Sequence, residues 1–330
     1  MEILDEDENF DIDLATRVCW HYYKEGRTQE EIGGFLNLTR KRVNRIIRQA
    51  LATGLVQITI DSRRSACPEL ESQLKARYGL RSVKVVPSPM EGMDVRSVVG
   101  AAAGQFLSET LGHSESLGVT WGGTIRAAGQ NLRRREGGNT VVSLTGGLAS
   151  SGPVNPYDAA ALFARALGAP CRYVTAPMIA DSKELRDALL RSAPVAEVLG
   201  RVRDIDRALL SAIDLTDQSK ALEYGVISRS TWRSLRDAGA VGDIAGQYLD
   251  GAGRPVEHPI VERVIAAKLD QLRAIKELVL AAGGAHKAPI IRAGIRAGLV
   301  HVLITDEAAA TALLDEEKPP QRQRTPAGGR

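Results

Sequence analysis

TRKRVNRIIRQALATG, residues 39–54, carries two patterns at once. Val43, Ile46, Ile47, Ala50 and Leu51 recur at i, i+3, i+4, i+7 and i+8, one apolar stripe of an α-helix. The opposite face carries Lys41, Arg45 and Arg48, with Arg42 and Asn44 on its flanks and Arg40 in the first turn. Thr39 is a capping residue and Gly54 a stop. Bases at this density repel one another at i,i+4. A counter-charge from outside must compensate, and a phosphate backbone supplies one.

The residues upstream complete the unit. Thr28-Gln29-Glu30-Glu31 fits a capping box that opens a second helix, with Ile32, Phe35 and Leu36 as its buried face. A short break at Asn37-Leu38 separates it from Thr39. A first helix runs from near Ile12 to Lys24, with Leu14, Val18 and Tyr22 on one stripe and Gly26 as the stop. This is the order of a helix-turn-helix, whose last helix enters the major groove with its first turns. Arg40, Lys41 and Arg45 are then candidates for base edges. Thr28, Thr39, Arg42 and Arg48 are better placed for phosphates, and Asn44 completes the DNA-facing set. Leu55–Ile60 (LVQITI) reads as a strand that begins a wing or hairpin. A tri-helical protein-interaction module is the competing reading, but such modules rarely load the third helix with arginine.

Charge is distributed to match. The whole 330-residue chain is +3, yet residues 14–64 hold ten bases against four acids. Residues 1–13 hold seven acids and no base. A basic block inside a near-neutral chain is an electrostatic footprint for phosphate, and together with the helix-turn-helix it points to double-stranded DNA as the partner. The three cysteines, Cys19, Cys67 and Cys171, lie far apart, as buried thiols of a cytoplasmic protein do. No metal or cofactor motif is found, no apolar run is long enough to span a membrane, and the N-terminus is not a signal peptide.

Beyond residue 80 short apolar runs alternate with helical stretches. Strands are expected at 83–86, 117–119, 140–144, 172–175, 205–212, 277–281 and 302–304, with helices at 95–111, 158–167, 183–190, 231–238, 286–296 and 307–314. That alternation predicts an α/β domain with a mostly parallel sheet covered on both faces. The expected division is 1–61 for the helix-turn-helix, 62–78 for a linker and connecting helix, 79–315 for an effector domain and 316–330 for a polar tail. Three Gly-rich breaks come directly after strands: Trp121-Gly122-Gly123-Thr124, Gly146-Gly147 and Gly283-Gly284. The carboxyl ends of parallel strands gather at one edge, so these loops can converge on one crevice. Lys287 stands in a first helical turn, where its charge opposes the helix dipole and calls for an anion or an acid. Asp243 can be that acid or can accept ligand hydroxyls. Trp121 is either a pocket wall or a core anchor.

GRTQEEIGGFLNLTRKRVNRIIRQALATGLVQITI (26–60), GVTWGGTI (118–125), VVSLTGG (141–147), GAVGDIAGQYLD (239–250) and AGGAHKAPIIRAGIRAGLVHVLITDEAAATALL (282–314) together resemble the SorC (SorC/DeoR-type) family of sugar-binding transcriptional regulators. The likeness covers nearly the whole chain in the family's order. It implies an effector domain related in fold to ribose-5-phosphate isomerase, loss of catalysis, a pocket for a sugar, polyol or sugar phosphate, and a homo-oligomer, dimer or tetramer, on DNA. Gly122, Gly123, Thr124, Asp243 and Lys287 fall on family positions that line the pocket. Ser143 departs from the Gln that many members carry, which favours a small polyol or its phosphate. The alternative is a sugar-phosphate isomerase or kinase-like enzyme using Lys287 and Asp243 as acid and base.

Overall fold

The computed structural model describes residues 11–56, 67–90, 93–148, 155–217 and 219–315. The chain divides into two compact units, residues 1–60 and 61–330. The expected strand at 55–60, the linker and the polar tail lie mostly outside the described residues.

The first unit is three helices, α1 (Ile12–Tyr23), α2 (Gln29–Leu36) and α3 (Arg40–Thr53). Each begins at a side chain that accepts backbone N–H groups otherwise left unbonded: Asp11, Thr28 and Thr39. Thr28 and Glu31 form a reciprocal capping box, as expected. Asn37 ends α2 in the left-handed conformation, and Leu38 N–H closes the turn on the Gly33 carbonyl at 2.8 Å. Ala15, Val18, Ile32, Val43, Ile46 and Ile47 make the core. Two expected core residues lie outside it. Phe35 is 62% exposed and Leu51 37% exposed. The Phe35 ring is held from outside, by the Arg27 guanidinium 5.1 Å above it and the edge of His21. Replacing Thr28 with Ala should cost the unit about 1 kcal/mol. A lower unfolding midpoint of the helical transition checks this, and an unchanged midpoint refutes the cap's contribution.

The second unit opens on α4 (Pro68–Tyr78), followed by β1 (Ser82–Val86), α5 (Val95–Thr110), β2 (Ser116–Val119), α6 (Gly123–Gln130), β3 (Thr140–Ser143), α7 (Pro156–Leu167) and β4 (Cys171–Arg172). Next come α8 (Lys183–Arg191), α9 (Ala193–Gly200), β5 (Arg207–Leu210), β6 (Ala212–Asp214), α10 (Lys220–Glu223), α11 (Arg229–Asp237), β7 (Ala240–Ile244) and β8 (Gln247–Asp250). It closes with α12 (Leu269–Arg273), β9 (Glu277–Ala281), α13 (Ala288–Arg296), β10 (Val302–Asp306) and α14 (Glu307–Leu314).

Among the described residues the main sheet runs β1-β10-β9-β5-β2-β3-β4, with every pairing parallel. Both faces are covered. Leu209, Val279 and Ile304 pack with Val99, Ile125 and Phe163 on one side. Leu210, Leu280 and Leu303 pack with Leu74, Ile290 and Leu313 on the other. The chain goes outward from β2 to β3 and β4, then returns through β5, β9 and β10 toward β1. The order reverses between β2 and β5, and a crevice opens outside the carboxyl ends of the strands at such a point.

Two expected strands are shorter than their apolar runs. The 205–212 run breaks at Ser211, whose hydroxyl donates to the Trp121 carbonyl at 2.6 Å while its N–H donates to Thr120 Oγ1. The next strand, β6, leaves the main sheet and joins β7 and β8 in a small antiparallel sheet. The 172–175 run stops at Arg172 because Tyr157 Oη bonds the Val174 and Ala176 carbonyls, 2.6 and 3.1 Å away. The β7–β8 hairpin turns on Ala245 and Gly246, both at positive φ (54° and 81°), the pattern that suits right-twisted strands joined by two residues.

Candidate functional site

On α3, Arg40, Lys41, Arg45 and Arg48 are exposed and Arg42 is half-buried, on a helix with no acidic residue. The first turn adds Arg40, Lys41 and Arg42 to the positive end of the helix dipole. Asn44 is half-buried and its amide donates to Gln29 Oε1 at 3.2 Å, so it ties α3 to α2. Thr28 Oγ1 accepts the Glu31 N–H and donates to the Glu31 carboxylate at 2.9 Å. Thr39 Oγ1 accepts the Arg42 N–H at 3.2 Å. Both threonines are therefore committed first to capping. Gln29, at the first position of α2, is not conspicuous in the sequence, because its pairing with Asn44 joins positions fifteen apart.

In the second unit a cleft of about 550 Å³ opens near the ends of β6 and β9, in the size range of small-ligand sites. Its walls come from the start of α5 (Asp94, Arg96), the β6–α10 segment (Asp214, Asp217, Ser219, Lys220), Arg229, and the β9–α13 turn (Gly283, His286, Lys287). Acids and bases alternate around it, so it offers both donors and acceptors to a hydroxylated ligand. Arg96 is held in place by both oxygens of Asp94 at 2.9 Å and by Tyr224 Oη at 3.0 Å. Burial alone would raise the Asp94 carboxyl, but the bonds from Arg96 outweigh it and it titrates below its ordinary range.

Lys287 is half-buried, and its ammonium donates to the Ala212 carbonyl at 2.8 Å. Desolvation pushes its pKa down, against the pull of Asp214. Asp214 is buried, accepts from Thr216 N and Oγ1, and stands 3.7 Å from His286 Nε2. The acid facing Lys287 is thus Asp214 and not Asp243. β6 lies between them, since Ile213 is the register partner of Asp243.

Asp243 lines a second, smaller space with Trp121, Met178, Ile213, Leu215 and Tyr248. Its Oδ2 has no hydrogen-bond partner among the described residues. Burial lifts its carboxyl from an ordinary 3.8 to about 7, against one backbone bond from Gly246. Its charge also raises the Tyr248 phenol, which desolvation has already raised. The two spaces share one wall. Ile213, Leu215 and Ala221 face the inner space, while Asp214, Asp217, Ser219, Lys220 and Leu222 face the cleft.

The Gly-rich loops divide accordingly. Gly283 lines the cleft. Gly123 backs Arg96, whose Cδ would lie 3.0 Å from an added Cβ, and Gly122 holds φ at 114° beside Ser211. Thr124 is buried in the first turn of α6. Of the residues expected to converge on one crevice, Gly122, Gly123, Thr124, Ser143, Gly146 and Gly147 line neither of these two spaces, whereas Trp121 and Asp243 line the inner one and Lys287 the cleft. Ser143 is fully buried and donates to the Thr145 carbonyl at 2.8 Å. Gly146 presses on the carbonyls of Ala176 and Pro177, and Gly147 on the Tyr157 ring, so this pair serves close packing. Sequence reasoning misses Asp94, Arg96, Asp214, Asp217, Ser219, Lys220, Arg229 and His286. Each sits in locally ordinary sequence, and only the polar run 214–220 after an apolar strand hints at them.

Similarity to known proteins divides the chain in the same way. Residues 62–315 match the family described as "Putative sugar-binding domain", and residues 18–53 match "Sigma-70, region 4". The transcriptional regulator LsrR of Klebsiella pneumoniae subsp. pneumoniae is 32% identical over 307 residues, 92% of this chain and 93% of that protein. The erythritol catabolism regulatory protein EryD of Brucella abortus is 30% identical over 310 residues, 93% and 98% of the two chains. The full-length sorbitol operon regulator SorC of Klebsiella pneumoniae shares the fold with a TM-score of 0.69 at 22% identity, over 93% of this chain and all of that one. Among the described residues no helix is long and apolar enough to cross a membrane.

Proposed function

Because the chain belongs to the SorC family of sugar-binding transcriptional regulators, we propose that it controls a carbohydrate or polyol catabolic operon through a sugar, polyol or sugar-phosphate effector bound in the Lys287 cleft. One observation carries the effector site. A half-buried ammonium, a guanidinium clamped from two sides and a buried carboxylate converge on one cleft of ligand size. Lys287 and Arg96 bind the anionic or oxygen-rich end of the ligand. Asp214 and Asp217 accept its hydroxyls. Asp243, behind the shared wall, takes a hydroxyl where the wall yields.

On the DNA side, Arg40, Lys41 and Arg45 read base edges in the major groove, while Arg42 and Arg48, with the capped helix starts at Thr28 and Thr39, set the register on the phosphates. One such unit reads too few base pairs for useful specificity, so the active species is a homo-oligomer on a paired operator. The effector works by binding one arrangement of that oligomer more tightly than the other.

The test is Lys287→Ala. Operator retardation should be unchanged without ligand, while the concentration of a responsive C4–C6 polyol or sugar phosphate needed to alter it rises at least about tenfold, the cost of a lost charged hydrogen bond. An unchanged response moves the effector elsewhere. The enzyme reading is tested on the same ligand set. Turnover that disappears with Lys287→Ala would replace the regulatory reading of the cleft.

A further inference from the structure

The recognition helix α3 holds Arg40, Lys41, Arg42, Arg45 and Arg48 and no acid. Among the described residues no ion pair forms to Arg40, Lys41 or Arg48. Residues 1–10, MEILDEDENF, lie outside the described residues and hold five acids, Glu2, Asp5, Glu6, Asp7 and Glu8, with no base. From this charge complementarity and the tether between the two segments, we infer that residues 1–10 dock on the basic face of α3 and act as an internal competitor of the DNA phosphate backbone. The inference rests on the DNA-binding reading of α3.

The tether makes the match effective. Residue 10 adjoins Asp11, whose carboxylate caps α1 by accepting from Asp13 and Leu14 N–H, each at 3.0 Å. α1 packs directly on α3, since Ala15 and Val18 share a core with Val43, Ile46 and Ile47. Ten extended residues reach roughly 33–36 Å. A fourteen-residue helix such as α3 is about 21 Å long, shorter than that reach. The positive end of the α3 dipole coincides with Arg40, Lys41 and Arg42, where an acidic segment is most stabilised. A segment held this way acts at an effective concentration on the order of millimolar, so even a weak contact occupies the face much of the time.

The arm imitates the phosphate backbone in charge but offers no base edges. It therefore lowers affinity for any DNA and leaves the discrimination between operator and other sequences intact. Its effect is electrostatic and fades as salt screens the exposed charges.

The experiment compares three full-length preparations on a duplex of unrelated sequence: the native chain, the chain lacking residues 1–10, and a chain with Glu2→Gln, Asp5→Asn, Glu6→Gln, Asp7→Asn and Glu8→Gln. At about 50 mM salt both altered chains should bind about three- to tenfold more tightly than the native one, with the difference closing as salt rises. In parallel, a zero-length carbodiimide should couple the Lys41 ammonium to an acid of residues 2–8 in the native chain, and an operator duplex should suppress that product. Equal affinities for all three chains overturn the inference. So does tighter binding by the deletion alone, which points to bulk rather than charge. Tighter binding without the Lys41 cross-link also overturns it, leaving only long-range repulsion of DNA. If no preparation binds DNA at all, it is the DNA-binding reading that fails.

Discussion

Arg45→Ala should weaken binding to the operator by about 1–3 kcal/mol, roughly 5- to 150-fold, and relax the requirement for one base. Arg45 lies one turn into α3 on the exposed face, beyond the capped first turn. A side chain there reaches a base edge if α3 lies in the major groove, and its fork matches the two acceptors of guanine. Arg48 stands one turn further along. Its replacement by Ala should weaken binding to all sequences alike and reduce the salt slope by about one. Competition with operators carrying single base changes separates the two. If Arg45→Ala costs the same on every sequence, its contact is to the backbone. The apolar stripe of α3 is untouched by either change, and thermal unfolding of each variant checks that the loss of binding is not a loss of folding.

The second large effect concerns stability. Asp243 is buried with one unbonded oxygen, and its carboxyl sits at about 7 instead of 3.8. In the folded chain it holds its proton across a pH range where the unfolded chain has released its own. The folded state then binds more protons, so this group's contribution to stability falls as pH rises from about 4 through about 7 and levels off above. Each tenfold change in proton affinity corresponds to about 1.4 kcal/mol, which makes the full loss on the order of 4 kcal/mol. Asp243→Asn keeps the shape and removes the charge. The ligand-free variant should match the native chain near pH 4 and exceed its stability by a few kcal/mol at pH 8. Denaturant titrations at several pH values check this, and parallel profiles for the two proteins would contradict the assignment.

The three helices of the first unit are legible in the chain because their determinants are local. Caps at Asp11, Thr28 and Thr39, a 3.6-residue period and a left-handed stop need only neighbours within a turn. Phe35 defeats that reading, since periodicity cannot see Arg27 and His21 closing over its ring from outside. In the second unit the buried strands announce themselves as apolar runs, but their partners do not. The run 205–212 gives no sign that Ser211 will hand the chain from one sheet to another, because the bond responsible is to Trp121, ninety positions away. The cleft is harder still. It joins residues 94–96, 214–220 and 283–287, which meet only after the sheet order reverses. Lys287 is visible because its position against a helix dipole is odd by itself, whereas Asp214 looks unremarkable until its neighbours are known. VVSLTGG stands out for its glycines, and those glycines fit Tyr157 and the 176–177 carbonyls.

Residues 213–217 and 219–222 form a partition with the cleft on one side and the Asp243 chamber on the other. An effector that displaced this partition on binding would couple the two spaces. If an effector entering the cleft shifts the partition enough to change how readily Asp243 gives up its proton, then acidity must change the effector's grip by the same factor, because such coupling is reciprocal. With Asp243 held at about 7, the concentration of metabolite needed for that switch would then vary with pH around neutrality.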